Sequence, residues 1–452
     1  MNGLFLYIDP GTGSMLFSIL IGAAATLFFL SKAALLKFKV FLSGKKSGIN
    51  AAQDASFKNF VVYVEGKQYW NVFKPVADAF EQRKIPLTYY TSAKDDPAFE
   101  ETYEFVKPEF IGEGNAAFAR LNLLSAGVVL MTTPGLHVYQ MKRSRNVKHY
   151  AHVLHMASDA TMYRLFGLDF FDSVLLSGDY QKKDIRTLEK MRGIHEKELV
   201  TVGCPYLDVL KERMASIPQE ENHVFTVLVS PSWGKSALLS RYGEKLLDPL
   251  AATGWRIIVR PHPQSKTSEA AMLERLAAKY KDASNIEWDY KRDNIYSMKK
   301  ADIMISDFSG IIYDYAFLCD KPVMYVNADL DMRPYDAYDL EDNGKNIWQF
   351  ATLKKIGIEL KEEHFADIKT IITSASDSAE LAAARKMAKE EAWQNDGKAG
   401  EAIADFMIGK MNDLDGEKEH FLSIAERAKK YLKAASTANH ARRAAKTGLG
   451  RG

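Results

Sequence analysis

The sequence predicts an α/β protein made of two doubly wound parallel sheets in succession behind an N-terminal transmembrane helix, and three observations predict it. Near the amino terminus, seventeen consecutive residues from Ser14 to Leu30 carry no charge. Beyond them, apolar runs of strand length alternate twice over with longer stretches of helical periodicity. Between the two series lies a polar stretch, Lys211 to Asn222, that holds Pro218.

The apolar N-terminal stretch continues past Lys32 to Leu36, about the length a bilayer core asks of a helix. A secretory signal places its positive residues before the apolar run; here Lys32, Lys37, Lys39, Lys45 and Lys46 follow it. By the positive-inside rule the chain is then a single-pass membrane protein whose remainder, catalytic part included, is cytoplasmic. Asp9-Pro10-Gly11-Thr12-Gly13 reads as a turn leading into the helix.

After a polar linker at about Ser43 to Phe57, the first series of strands runs through Phe60–Val64, Ile85–Thr91, Gly127–Thr132 and Ser173–Ser177, with helical periodicity from Val72 to Arg83 and Pro75 in its first turn. The second series runs through Val224–Ser230, Trp255–Val259, Asn285–Trp288, Asp302–Ile305 and Pro322–Val326. The chain thus divides into an anchor over 1–42, one Rossmann-like domain over 57–215, another over 222–410, and a helical tail over 411–452. That tail is basic, with Lys429, Lys430, Lys433, Arg442, Arg443, Lys446 and Arg451 and no acid after Glu426. Beside a membrane anchor such a tail is either simply solvated or a holder of anionic lipid.

With 452 residues, 47% of them hydrophobic and 26% charged, the chain has the composition of an ordinary globular protein. A net charge of +2 gives no footprint for nucleic acid. Cys204 and Cys319 stand far apart, outside any CxxC or zinc-ligand spacing, and read as buried free thiols.

In parallel sheets, ligands collect where strand carboxyl ends meet helix amino termini, whose free N–H groups and dipole favour phosphate. Three loops of the second series have the contents for it. Ser230-Pro231-Ser232-Trp233-Gly234-Lys235-Ser236 ends in Gly-Lys-Ser, but a P-loop needs glycine where the chain has Val229, so the loop is a ligand-closing turn or an ordinary one. Arg260-Pro261-His262-Pro263 offers a permanently charged fork for phosphate oxygens and a histidine that exchanges protons near neutral pH. In Ser306-Asp307-Phe308-Ser309-Gly310 the serines cap a helix and the glycine lets a ligand approach the backbone. In the first series, His149, His152 and His155 recur at intervals of three. On a helix, His152 and His155 would share a face as metal ligands do, yet no nearby Cys or Glu completes a zinc set, so no metal is expected. A general base at a strand end and a satisfied structural histidine are the other readings. Asp329-Leu330-Asp331 has the form of a metal-binding DxD, a pattern common in acidic loops.

Taken in order, Gly203-Cys204-Pro205, Ser230-Pro231-Ser232-Trp233, Arg260-Pro261-His262-Pro263, Ser306-Asp307-Phe308-Ser309, Tyr313-Asp314-Tyr315 and Asp396-Gly397-Lys398-Ala399 resemble the CDP-glycerol glycerophosphotransferase family of teichoic acid synthesis, over roughly residues 120 to 410. The resemblance implies a GT-B architecture, two Rossmann-like domains facing a cleft, with the acceptor on the N-terminal half and the donor nucleotide on the C-terminal half. It implies that His155 is the base for the acceptor hydroxyl and that His262 stands beside the donor diphosphate. Arg260, Ser232, Ser306, Asp307, Ser309 and Gly310 would then bind donor. It further implies attack at the phosphorus bearing glycerol, with CMP leaving and no cofactor. The partners expected are a CDP-activated donor, a membrane-linked glycan or lipid acceptor, and the membrane. The sequence departs from the family around the first histidine, where Leu154-His155-Met156-Ala157-Ser158-Asp159 replaces Trp-His-Gly-Thr-Pro, so the loop beside the acceptor has a different shape. A nucleotide-sugar glycosyltransferase or epimerase of the same fold, and a non-catalytic nucleotide- or polymer-binding membrane protein, are the alternatives.

Overall fold

The first strand, Lys58–Val64, is buried along its last five residues, as a central strand covered on both faces must be. The computed structural model describes residues 57–416, apart from 219, 222, 292, 328 and 329, together with residue 433. The expected anchor and nearly all of the basic tail therefore lie outside the described residues, as does Asp329 of the DxD. Among the described residues no helix is long and apolar enough to cross a membrane. Lys58 begins a compact unit distinct from Met1–Phe57.

The N-terminal half of that unit holds seven parallel strands, β1 (Lys58–Val64), β2 (Leu87–Thr91), β3 (Val106–Phe110), β4 (Ser125–Met131), β5 (Asn146–Val153), β6 (Ser173–Leu176) and β7 (Glu198–Thr201), in the order β3-β2-β1-β4-β5-β6-β7. The C-terminal half holds six, β8 (Thr226–Val229), β9 (Arg256–Val259), β10 (Ile286–Trp288), β11 (Ile303–Ser306), β12 (Val323–Tyr325) and β13 (Gly357–Glu359), in the order β10-β9-β8-β11-β12-β13. Both sheets reverse direction of growth once, between β1 and β4 and between β8 and β11, and loops beyond those strand ends are where such sheets hold ligands.

Three features differ from the sequence expectation. The helix expected from Val72 begins at Trp70, which puts Pro75 in its second turn, and that proline packs against Gly400: a Cβ at 400 would lie 2.5 Å from the Pro75 Cβ. The stretch Lys211 to Asn222 is only partly a linker, because Pro205–Ala215 is helical. The C-terminal domain does not run unbroken to 410. After the helix Ala379–Ala392 the chain crosses back, and the helix Ala399–Gly416 packs on the helix Trp70–Gln82 and on β4 of the N-terminal half. Asp208 organises that crossing, accepting from Trp393 Nε1 at 2.8 Å, Gly397 N at 2.9 Å and Ala399 N at 3.0 Å. Gly203 sits at φ +99°, and a side chain there would run into the Gln394 carbonyl. Two of the six motifs, Gly203-Cys204-Pro205 and Asp396 to Ala399, thus build the crossover.

The halves are joined a second time by the excursion between β12 and β13. Leu165 N donates to Pro334 O at 3.0 Å and Asp336 N to Tyr163 O at 2.9 Å. The Asp336 carboxylate accepts from Phe166 N and Gly167 N, at 2.6 and 3.1 Å. Buried Arg192 reaches Asp169, Asp336 and Asp339 at 2.7, 2.6 and 2.8 Å. Three carboxylates around one guanidinium keep the Arg192 charge fixed, while burial pushes the Asp336 carboxyl up to about 6.

Candidate active site

The turn expected to hold phosphate follows β11. Asp307 is 1% exposed, and its carboxylate accepts from the backbone N–H of Ser232 (3.0 Å), Leu238 (2.9 Å) and Ser309 (3.2 Å). Ser306, fully buried, donates to the Ser230 carbonyl at 2.7 Å. The Ser232 hydroxyl is buried beside the same carboxylate without a partner of hydrogen-bond geometry. These three residues were expected on the donor; the structure uses Ser306 and Asp307 to bolt the loop after β8 to the loop after β11. Burial raises the Asp307 carboxyl above its ordinary range, opposed by the N–H groups aimed at it.

What the turn leaves toward solvent is Ser309 and Gly310 at the start of the nine-residue helix Ile311–Cys319. Among the described residues no partner is recorded for the backbone N–H groups of Gly310 and Ile311, the orphan donors that open any helix. Farther along this helix, Tyr313 donates to Gln349 O, and Tyr315 to Ala301 O at 3.1 Å, so both tyrosines of Tyr313-Asp314-Tyr315 pin the helix into the core. Burial pushes the intervening Asp314 carboxyl up to about 7, relieved by a hydrogen bond from Tyr206. Asp314 is thus a proton-carrying acid near neutral pH beside a cleft residue, and only its environment reveals it.

Arg260 was expected to fork a phosphate. Its Nη1 instead donates to Asp289 Oδ2 at 2.6 Å and its Nη2 to Lys291 O at 2.7 Å, in a pair that is 11% and 4% exposed. It ties the loop after β10 to the end of β9. Two residues on, His262 Nδ1 accepts from Gln264 N at 3.1 Å, which places the proton of the neutral ring on Nε2. Burial lowers the His262 imidazole, against the raising influence of Asp307 and Glu269. Half-exposed Trp233 lies 6.3 Å away, ring to ring, at 31°.

His155 stands two residues beyond β5. His149 and His152 belong to the strand itself and His155 follows it in the loop, so the helix face that His152 and His155 were considered to share for a metal does not exist here. His149 meets Ser173 Oγ at 2.9 Å; fully buried His152 meets the Tyr163 hydroxyl at 3.1 Å. That same hydroxyl lies 3.2 Å from His155 Nδ1, and Thr132 Oγ1 is 3.2 Å from it too. Tyr69 closes the pocket with its ring edge-on at 5.3 Å. Burial pushes His155 down to about 4, and burial lowers His152 further, so both rings are neutral at pH 7. With Nδ1 between two hydroxyls, Nε2 is the nitrogen left for a reacting group. Tyr163 and Thr132 escaped the sequence reading because nothing in their neighbours marks them; their role comes from β4, β5 and the following loop converging.

The two halves meet at this point: a Cβ on Gly310 would lie 3.3 Å from Met156 Sδ, so the residue after His155 packs on the glycine of the turn after β11. A cleft of about 920 Å³ runs between the halves, with Lys67, Trp70 and Lys74 on one wall, Pro263, Asp293 and Asn294 on the other, and Tyr206 and Arg213 at its base. A second hollow of about 550 Å³ opens on the other side of Asp307 and Phe308, lined by Tyr325, Asn327 and Phe350 and by the cations Arg241, Lys345 and Lys354. Asn327 directly follows a strand run that was legible in the sequence; the three cations lie off the strand ends and gave no signal. Among the described residues no group of three or more His, Cys, Asp or Glu side chains is placed to hold a metal ion, and Cys204 and Cys319 are free thiols.

The same architecture occurs in solved structures. The wall teichoic acid polymerase TagF, in a form soaked with CDPG, matches with a TM-score of 0.52 at 13% identity, over 86% of this chain and 98% of that one. A putative UDP-N-acetylglucosamine 2-epimerase from Listeria monocytogenes matches at 0.52 and 11%, over 81% and 100%. The UDP-GlcNAc 2-epimerase of Methanocaldococcus jannaschii, in complex with UDP-GlcNAc and UDP, matches at 0.51 and 14%, over 77% and 99%. At such identities the likeness is one of fold, the GT-B arrangement. No curated protein matches the chain. A family model does, across residues 63–343 and therefore more than half of the sequence, including both histidine loops and the turn after β11: the chain belongs to the CDP-glycerol:poly(glycerophosphate) glycerophosphotransferase family.

Proposed function

We propose that this protein transfers glycerol phosphate, or a related polyol phosphate, from a CDP-activated donor to a membrane-linked glycan or lipid acceptor during synthesis of a teichoic-acid-like envelope polymer. The observation that carries the reading is the contact between Met156 and Gly310, which sets a neutral histidine of one half against the anion-binding turn of the other. Phosphoryl transfer asks for positioning and charge stabilisation rather than a covalent intermediate. The donor diphosphate lies on the N–H groups of Gly310 and Ile311, with the Ser309 hydroxyl and the Nε2–H of His262 as further donors. His155 Nε2 takes the proton of the acceptor hydroxyl as its oxygen bonds to the glycerol-bearing phosphorus, and the bond from that phosphorus to the bridging oxygen breaks, releasing CMP. Arg260, Asp307 and Ser306 act one step back, holding the three loops in register. The uncharged run Ser14–Leu30 with its trailing lysines supports a single-pass anchor with the catalytic part in the cytoplasm.

The test is nucleotide release. Purified full-length protein with acceptor membranes is offered CDP-glycerol and, separately, UDP-sugars. CMP release that falls with His155→Ala and His262→Ala is the expected outcome. UDP release without CMP would replace the reading with a glycosyltransferase or epimerase, and tight nucleotide binding with no turnover of any donor, indifferent to both substitutions, with a non-catalytic binding protein.

A further inference from the structure

We propose that Asp159 is the residue that positions His155 for transfer: it reaches from the N-terminal half to the start of the helix Trp348–Ile356 in the C-terminal half, and so fixes the histidine loop against the turn after β11. The proposal rests on the reading of His155 as the base. Asp159 stands four residues beyond His155, in the stretch where the chain departs from the family pattern. Its side chain is buried, at 8% exposure, and Oδ1 is used inside its own loop, accepting from Thr161 N at 3.1 Å and Thr161 Oγ1 at 2.7 Å. Oδ2 is buried and, among the described residues, has no partner of hydrogen-bond geometry. A buried carboxylate oxygen left over in this way is costly unless a group of opposite polarity stands beside it.

The group beside it belongs to the other half. Burial raises the Asp159 carboxyl above its ordinary range, and the backbone N–H groups of Gln349 and Trp348, with those of Thr161, oppose that rise. Trp348 and Gln349 open the helix Trp348–Ile356, whose N-cap residue, Ile347, has no side-chain oxygen to offer. An uncapped helix start presents free N–H groups and the positive end of the dipole, and a carboxylate is the side chain that suits it. The carboxylate therefore shapes the loop after His155 with one oxygen and meets the C-terminal half with the other.

The surrounding contacts close the joint. Ser158 O accepts from the Tyr180 hydroxyl at 2.8 Å and from Gln181 Nε2 at 2.6 Å, and the Tyr180 ring lies on Trp348 with centroids 4.2 Å apart. Trp348 is held from behind, its Nε1 donating to Glu391 at 2.8 Å. Gln349 is the link to the donor side: its carbonyl accepts from Tyr313, in the helix that begins just after Gly310. Met156 packs on Gly310 itself, so both ends of the histidine loop rest on elements that Tyr313 ties together. Tyr163 and Thr132 hold the His155 ring from within its own half; Asp159 sets where that ring stands relative to the donor. A misplacement of about 1 Å costs on the order of 100-fold in rate, so the contact acts on kcat, while the donor's own contacts in the C-terminal half do not need it.

Asp159→Asn in the full-length protein tests this, because the amide oxygen still accepts from Thr161 while the charge at the helix start is lost. CMP release from CDP-glycerol with acceptor membranes is read beside deuterium exchange at the Trp348 and Gln349 amides. The expected result is a kcat lower by about 10- to 100-fold with donor KM within about two-fold, and exchange at those amides faster by at least about 10-fold. Asp159→Glu, which restores the charge, should regain at least about a third of the wild-type kcat. Wild-type kcat in Asp159→Asn overturns the proposal, as does a deficit that lies in donor KM, unchanged exchange at the two amides, or a Glu variant no better than Asn. Should Asp159→Asn not fold, Tyr180→Phe takes one bond from Ser158 and keeps the stack on Trp348; kcat should then fall by about 2- to 5-fold at constant donor KM, and an unchanged kcat overturns the proposal. Wild-type protein that releases no CMP defeats the transfer reading instead, and the exchange readout still decides the joint between the halves.

Discussion

Replacing Tyr163 with Phe removes one oxygen and leaves two imidazoles facing a bare ring edge. The hydroxyl is 3.1 Å from His152 Nε2 and 3.2 Å from His155 Nδ1. His152 has no exposed surface, and its Nδ1 already lacks a partner, so the substitution leaves both of its nitrogens unsatisfied. An orphaned buried polar group costs about 1–3 kcal/mol, and the loss of stability belongs in that range. The ring itself stays in place, because the Tyr163 carbonyl still accepts from Asp336 N and the ring still packs at 5.2 Å from His152. His155 keeps Thr132 but loses half of what fixes its plane and tautomer. A positioned general base contributes roughly 10²–10⁴-fold, so loosening its hold lowers kcat by about 10- to 100-fold. Tyr163 belongs to the N-terminal half, so KM for the CDP-activated donor stays unchanged. The assay is steady-state CMP release with donor and acceptor varied separately, beside thermal unfolding. Thr132→Val removes the other hydroxyl, and the double variant should lose more than the product of the two single losses. A Tyr163→Phe enzyme with wild-type kcat, or one whose deficit lies wholly in donor KM, would refute the reasoning.

Three other outcomes are expected. Asp307→Ala strips the acceptor from three backbone N–H groups and should lower stability by roughly 3–5 kcal/mol, the cost of breaking a buried charged network, read by urea denaturation, whereas Ser309→Ala should leave stability within about 0.5 kcal/mol and raise donor KM. Arg192→Met leaves Asp169, Asp336 and Asp339 without their cation; the loss, on the order of 3–5 kcal/mol, should be smaller at pH 5 than at pH 8, because carboxyls that take up protons no longer repel, and equal losses at both pH values would contradict it. His155, held down to about 4 when folded, binds its proton in the unfolded chain first; the stability it contributes is fully present above about pH 6.5 and is lost as pH falls toward 4, so His155→Gln should flatten the acid limb of a stability–pH curve by up to ~3 kcal/mol.

Nine of the thirteen strands stand out in the sequence as apolar runs, most of them because a parallel strand buried on both faces has nothing polar to interrupt it. The four that do not stand out fail for separable reasons. β3 carries Pro108 and has exposed or partly exposed residues at every position after Val106, as an edge strand is free to do. β7 and β13 are also edges, four and three residues long, too short for a period to register. β5 is the instructive case: it is central, yet reads Asn-Val-Lys-His-Tyr-Ala-His-Val. Its histidines are buried polar residues that each place Nε2 on a hydroxyl from outside the strand, Ser173 or Tyr163, so their spacing of three mimics a helix face that the fold does not contain. The crossing back at Trp393 was invisible for a like reason, since it depends on Asp208 finding three donors almost two hundred residues away.

The site shows the same division one level down. Sequence motifs mark loops, and a loop needs residues that shape it as well as residues that face the ligand. In Ser306-Asp307-Phe308-Ser309-Gly310, the two residues nearest the strand turn inward to hold the loop after β8, and the two nearest the helix are left outward. In Arg260-Pro261-His262-Pro263 the arginine is held by Asp289 and the histidine is presented by the Gln264 amide. A charged or hydroxylated residue therefore signals a site without saying which side of the loop it serves. Burial decides that: Asp307 at 1% exposure cannot touch a donor without first abandoning three N–H groups, each of which would then be orphaned. The departure around His155 follows from the same logic. Where the family pattern has glycine and proline, this chain has Met156 and Ser158; the Met156 sulfur fills the space that Gly310 leaves open, and His155 is held by Tyr163 and Thr132. If so, Met156→Gly should not restore a family-like site; it should leave a void against Gly310 and slow transfer, and only together with new restraint on the loop should activity return.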